Sequence, residues 1–364
     1  MTTGDTMLSS PGQAAPAPDS AQEVHLARIE SREARSHRIS TSILIAIMAV
    51  LMLALVPRTS GTAQFSFLDS LSGKDLGTAK LPGLPTVLVS GILCALAAVA
   101  FAFKRSHGWI GTIAGVVAGV TVVVGLLTWA AAGASLPFQV SSQLEGTISL
   151  ATPLILGALC GVMCERSGVV NVAIEGQMLT AAFAAALVGS MTQSIAAALV
   201  AAVLAGVLMG ALLALFTIKY LVDEVVMGVV VNLFASGLTG FLFNQLLVTD
   251  AEKYNAAPIM EPIAIPGLSR IPFLGPILFN QTVLVYIGFL CIALVWFLLW
   301  RTRWGLRIRS VGEHPEAADT VGISVTAVRW SAVLVGGVFA GLGGAYFTIG
   351  TVGALSLIHI SEPT

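Results

Sequence analysis

The run Ile195-Ala-Ala-Ala-Leu-Val-Ala-Ala-Val-Leu-Ala-Gly-Val-Leu-Met-Gly-Ala-Leu-Leu-Ala-Leu-Phe-Thr-Ile218 contains no charged side chain. As a helix rising about 1.5 Å per residue, it exceeds the ~30 Å hydrocarbon core of a bilayer. Its apolar residues do not alternate with period two, which favours a helix over a barrel strand. Working outward, eight more stretches of this kind lie at 39–56, 86–103, 109–132, 147–164, 172–191, 225–247, 282–300 and 330–349. Among all nine, only 172–191 carries a charge, Glu175.

The totals agree. Hydrophobic residues make up 56% of the 364 and charged residues 10%, whereas soluble domains carry about 25% charged. Such a chain cannot cover a water-facing surface, so the expected fold class is all-α, a polytopic transmembrane helical bundle of about nine spans. Lys+Arg 18 against Asp+Glu 19 leaves no basic field for a nucleic-acid partner. Cys94, Cys160, Cys164 and Cys291 all fall in apolar stretches, so no disulfide framework is indicated. Cys160 and Cys164, at i, i+4, read as small packing residues ahead of a metal pair, and no metal site is expected. Residues 1–38, polar and rich in Pro, Ala and Ser, read as a disordered cytoplasmic tail and not a cleavable signal.

Basic residues orient the bundle. With the N-terminus inside, the inner segments hold thirteen of the eighteen lysines and arginines, including Arg166, Lys219, Arg301, Arg303, Arg307 and Arg309. The outer segments hold five: Arg58, Lys74, Lys80, Lys253 and Arg270. Two outer loops are long, 57–85 and 248–281, and Pro258, Pro262, Pro266, Pro272 and Pro276 predict a stiff, extended cap in the second. Small residues recur at four-residue spacing at Gly111/Gly115/Gly119, Gly157/Gly161, Gly206/Gly210 and Gly337/Gly341, a pattern that lets helices in lipid pack closely.

Three segments break the apolar monotony. The first, Cys164 to Gln177, places Glu165, Arg166, Asn171, Glu175 and Gln177 at or near membrane depth, bracketed by Gly168 and Gly176. Intramembrane polar groups are costly and face protein or a water-filled path, and a glycine pair suits a helix that breaks and restarts. An ordinary cytoplasmic turn also accounts for Glu165 and Arg166. Asn171, Glu175 and Gln177 read either as substrate-pathway residues or as a structural hinge. The second segment is Lys219 to Glu224, followed by Asn232 and Asn244 within a span. Asn232 either bonds across helices or lines the path. In the third, Arg301 to Ile323, Gly312 is expected to free the chain, His314 to precede a helix and Pro315 to occupy its first turn. Glu316 and Asp319 favour its N-terminal half and Gly322 its stop. A short, amphipathic, cytosol-facing helix between two spans offers a docking knob to another protein.

Gly305 to Ile323, with Val311-Gly-Glu-His-Pro-Glu-Ala-Ala and Val321-Gly-Ile, resembles the coupling loop of ABC importer permeases serving ribose, nucleosides and branched-chain amino acids. Glu165-Arg-Ser-Gly-Val-Val-Asn-Val-Ala-Ile-Glu-Gly-Gln-Met178 is similar to the same family's hallmark. Together they resemble most the nucleoside, simple-sugar-like branch, over residues ~39 to 353. The resemblance implies a multi-pass permease of the bacterial plasma membrane with a transmembrane domain over 39–354. It implies as partners two cytosolic ABC ATPase subunits or domains, a second permease subunit and an extracytoplasmic substrate-binding lipoprotein, besides membrane lipid. ATPase coupling would run through Arg307, Gly312, Glu313, His314, Pro315, Glu316, Ala317, Ala318 and Gly322. No cofactor is expected on this chain: GxxxxGK[ST] is absent, and partner subunits would bind ATP, so the chain is a transport subunit and not an enzyme. Branched-chain amino acids or sugars are the alternative cargo. An ion-coupled secondary transporter, which needs midplane carboxylates, and a transport-inactive scaffold are the rival classes. Residues 355–364 resemble a translated sequencing adapter, so native sequence is expected to end near Gly353 or Ala354, the remainder packing poorly.

Overall fold

The computed structural model describes residues 32–68, 75–102 and 109–355. Most of the expected N-terminal tail (1–31), Lys74, Lys104, Arg105 and the expected adapter-derived residues 356–364 lie outside the described residues. In chain order the helices are α1 (Arg32–Leu55), α2 (Gly83–Ala102), α3 (Trp109–Ala131), α4 (Val140–Glu165), α5 (Ile174–Thr192), α6 (Ile195–Ala214), α7 (Glu224–Leu242), α8 (Ala251–Tyr254), α9 (Leu274–Phe279), α10 (Val283–Arg301), α11 (Arg303–Glu313), α12 (Pro315–Thr320) and α13 (Val325–Ile349). Among the described residues nine helices are long and apolar enough to cross a membrane: α1 to α7, α10 and α13. They overlap the nine apolar stretches one for one, with α4 and α13 beginning earlier than expected, at Val140 and Val325, and the class is the all-α bundle expected.

Local chemistry sets the ends. Asp223 Oδ1 accepts the backbone N–H groups of Val225 and Val226, both at 3.0 Å, and so caps α7. Ser194 and Ser324 hydroxyls cap α6 and α13. Both long loops contain regular structure, and the second departs from the extended cap expected there. The first contains strands β1 (Thr62–Leu68) and β2 (Asp75–Pro82), and Phe65 of β1 pairs in parallel with Phe138 of β3 (Phe138–Gln139). The second contains α8, α9 and an antiparallel pair, β4 (Ile263–Ala264) with β5 (Asn280–Gln281). Pro276 sits within the first turn of α9, where its missing N–H has no intrahelical partner to lose.

The described residues form two compact units, those within 1–63 and 80–135, and those within 64–79 and 136–364. In the first, α2 packs against α1 and α3 around buried Met52, Leu55 and Val87. Gly115 and Gly119 do not bring a helix backbone close there: a Cβ on Gly115 would lie 3.6 Å from Phe101 Cζ, and one on Gly119 would meet nothing within 4 Å. Gly125 does, since its Cβ would lie 2.9 Å from Ser90 Cβ.

In the second unit α13 is the hub, packed against α4, α5 and α6, with 14 of its 25 residues buried. Here the glycine ridges meet. A Cβ on Gly206 would lie 2.5 Å from Gly337 O and 2.7 Å from Gly341 N, so only glycine lets these backbones touch. Leu355 corrects the expectation of poor packing at its position. It is 2% exposed, packs with Phe183, Phe243 and Leu247, and exchanges two hydrogen bonds with the Asn255 side chain, at 2.7 and 2.9 Å.

Candidate functional site: a broken span and the helix pair seated on it

α4 ends at a Schellman turn. The Val169 N–H donates to Cys164 O at 3.1 Å and the Gly168 N–H to Glu165 O at 3.0 Å, with Gly168 at φ +77°. Buried Val169 then packs in the same core cluster as Cys164. The chain runs extended to Ala173, where α5 begins. Asn171 pins this stretch from within: Oδ1 accepts the Ala173 N–H at 3.0 Å, and Nδ2 reaches Gln177 Oε1 at 3.4 Å and Cys160 Sγ at 3.3 Å. Cys160 and Cys164 are buried and pack on Gly336 of α13.

α7 clamps the break from outside with one stripe of residues. The Val170 N–H donates to the Glu224 carboxylate. Gly228 lets Val172 approach, since a Cβ there would lie 2.7 Å from Val172 Cβ. Asn232 donates from Nδ2 to Val172 O at 3.0 Å and accepts the Gly176 N–H at Oδ1 at 2.8 Å. Glu224, Gly228 and Asn232 are i, i+4 and i+8 on α7, so they share a face. Gly176 belongs to α5 and is a contact point for Asn232, not the second edge of the break.

The arginine-rich stretch after α10 forms a helix of its own. Thr302 Oγ1 caps α11 by accepting the Gly305 N–H at 3.0 Å. His314, at φ −142° and ψ 81°, separates α11 from α12, because Pro315 disfavours the helical region for the residue before it. A second Schellman turn ends α12: Ile323 N–H to Ala318 O at 3.0 Å, Gly322 N–H to Asp319 O at 2.9 Å, with Gly322 at φ +83°.

These two segments, distant in sequence, touch. Gly312 lies inside α11, and a Cβ on it would run into the Arg166 carbonyl oxygen. A Cβ on Gly168 would lie 3.4 Å from Gly312 Cα and 3.3 Å from Arg329 Nη2. Val169, Ile308, Val311, Ala318 and Val328 belong to one buried cluster. Beside the contact opens a polar cleft of about 380 Å³, lined by Val162, Glu165, Arg166, Arg309, Gly312 and Glu313.

The expected site residues are therefore sorted. Asn171, Gln177 and Asn232 gather at the break, and Asn232 has both amide ends in cross-helix bonds. Gln177 is fully buried, and among the described residues its Nε2 has no hydrogen-bond partner. Glu175 alone of the four is exposed. Arg307, Glu313, His314, Glu316, Ala317 and Gly322 are exposed. Two expectations are corrected. Gly312 is a tight contact and not a swivel, and Ala318, 4% exposed, faces the chain's own core. Glu224, Gly228, Arg329 and Val321 (74% exposed) were given no site role, although Glu224 and Val321 fall in the quoted segments. The i, i+4, i+8 spacing up to Asn232 was the available signal for the first two.

A family model described as branched-chain amino acid transport system / permease component matches residues 143–358, which covers α4 through α13 and both halves of the site. The chain belongs to this family. The permease is 43% identical over 211 residues to the guanosine ABC transporter permease protein NupQ of Bacillus subtilis, an alignment covering 55% of this chain and 65% of NupQ. It is 40% identical over 222 residues to the nucleoside ABC transporter permease protein NupC of Lactococcus lactis, covering 58% of this chain and 68% of NupC. The permease thus spans just under two thirds of NupQ's length. No solved structure matches it.

Proposed function

We propose that this chain is a membrane subunit of an ABC importer that moves nucleosides into the cell. The observation that carries the reading is the seating of α11 and α12 on the α4–α5 break. The exposed residues in and flanking α12, Glu313, His314, Glu316, Ala317 and Val321, suit docking to a cytosolic ATPase. Two ATPase subunits or domains bind and hydrolyse ATP, a second permease completes the pathway, and an extracytoplasmic lipoprotein delivers cargo. When the ATPases close, α12 moves with them. Shared packing carries α11 along, and the Gly312–Arg166 contact passes the displacement to the break that α7 clamps. Both ATP and the loaded binding protein must bias the two access states for this coupling to do work.

Two further observations support the assignment. NupQ and NupC bear names that specify guanosine and nucleosides. Glu175 lies in the first turn of α5 and is exposed. A carboxylate facing lipid there is costly, so it faces a water-filled path or the second permease.

Replacing Ala317 with Arg in the assembled importer tests the docking. Overpacking at a close contact costs ~1–3 kcal/mol, and burying the new charge adds to it. The expected outcome is parental membrane abundance with ATPase co-purification and guanosine uptake both lost. Uptake at the parental rate overturns the docking role. Competition by unlabelled guanosine, leucine and glucose tests the cargo, and only guanosine should inhibit.

A further inference from the structure

The last turns of α10 expose Trp296, Phe297 and Trp300, at 55%, 52% and 52%. Half-exposed indoles at the end of a spanning helix lie at headgroup depth. Each tryptophan carries an arginine: Arg301 Cζ lies 5.7 Å from the Trp296 ring centroid, and Arg309 Cζ lies 4.4 Å from that of Trp300. The second comes from α11, which folds back tightly at Thr302. A Cβ on Gly305 would run into the Leu298 carbonyl oxygen. α11 buries Gly305, Ile308 and Val311 and exposes Arg303, Leu306 and Arg307, the pattern of a helix lying in the membrane interface. None of Arg301, Arg303, Arg307 and Arg309 forms an ion pair with a described residue.

We propose that this α10–α11 corner binds the phosphate headgroup of an anionic phospholipid. A guanidinium held near an indole keeps N–H edges that a phosphate can take in charge-assisted hydrogen bonds, and in Arg309, whose Nε is buried without a partner, the Nη groups form that edge. The cation–π contacts hold those edges in place before the lipid arrives. A bulk charge asymmetry requires neither stacking nor arginine, yet this corner uses arginine four times and lysine never. The patch is continuous with exposed Phe297 and Leu306 (60%), so its partner has apolar chains beside its charge. That describes a lipid and not a soluble anion.

The purified full chain in detergent is titrated with short-chain phosphatidylglycerol or phosphatidylcholine, and bound lipid is counted by native mass spectrometry. The parent should prefer phosphatidylglycerol by at least about fivefold per stacked arginine. Arg301→Gln with Arg309→Gln should abolish the preference with helix content unchanged by circular dichroism. Lys253→Gln with Arg270→Gln removes the same charge elsewhere and should keep it. No preference in the parent, its survival in the first pair, or equal loss in the second overturns the proposal. If the first pair does not fold, Trp300→Leu carries the test, since it keeps apolarity but removes a stack. An unchanged preference in that variant overturns the proposal as well.

Discussion

Asn232 and Asn244 lie one helical region apart in the sequence and have different work. Asn232 bonds Val172 O and the Gly176 N–H across the break, whereas Asn244 Nδ2 bonds only Gly240 O, one turn back. Removing the first side chain leaves the part-buried Gly176 N–H and the more exposed Val172 carbonyl without these partners. Asn232→Ala should therefore cost about 1–3 kcal/mol, and Asn244→Ala within about 0.5 kcal/mol. Thermal unfolding of the two variants in the same detergent checks the contrast. Equal melting temperatures would remove the clamp. At this scale the sequence left Asn232 with two readings, because the groups it bonds sit some sixty residues earlier in the chain. Glu175 and Gln177 were equally undecided. They are two positions apart, and helical geometry turns one outward and the other fully inward.

Elements show the same division. All four glycine ridges had the same spacing, but only three-dimensional packing separates them. Gly206 meets the Gly337 and Gly341 backbones, and Gly119 meets open space. Gly206→Val should destabilise by ~3 kcal/mol or more, since backbone cannot yield as a flexible side chain can. Gly119→Ala should be neutral or stabilising by up to ~1 kcal/mol through helix propensity. Equilibrium unfolding of both variants is the check, and a tolerated Gly206→Val would disprove the α6–α13 seam. The α11–α12 pair was legible at its Pro315 start and Gly322 stop, because those residues act through their own backbones. It was not legible at Gly312. A glycine inside a helix looks like a weak point until the Arg166 carbonyl opposite it is known.

For the molecule as a whole, the thirteen-to-five distribution of basic residues predicts that 219–224 and 301–329 are cytosolic and that 57–85 and 248–281 are outside. All four native cysteines are buried, so single cysteines placed at exposed Arg270 and Glu316 can be labelled against a low background. An impermeant reagent added outside intact cells should modify position 270 and leave position 316 untouched. The reverse result inverts the topology and places α12 away from any cytosolic ATPase. Span number and the all-α class were determined by the sequence alone, because lipid requires every spanning backbone to bond internally and tolerates few charges, whereas α4 and α13 start at Val140 and Val325, ahead of the expected 147 and 330. Each such constraint acts on one contiguous stretch. The contact of Gly168 with Gly312, the α7 clamp and the inward face of Ala318 join residues far apart in the chain. Only the tertiary structure decided those, because close packing depends on which surfaces meet and not on what either segment prefers alone.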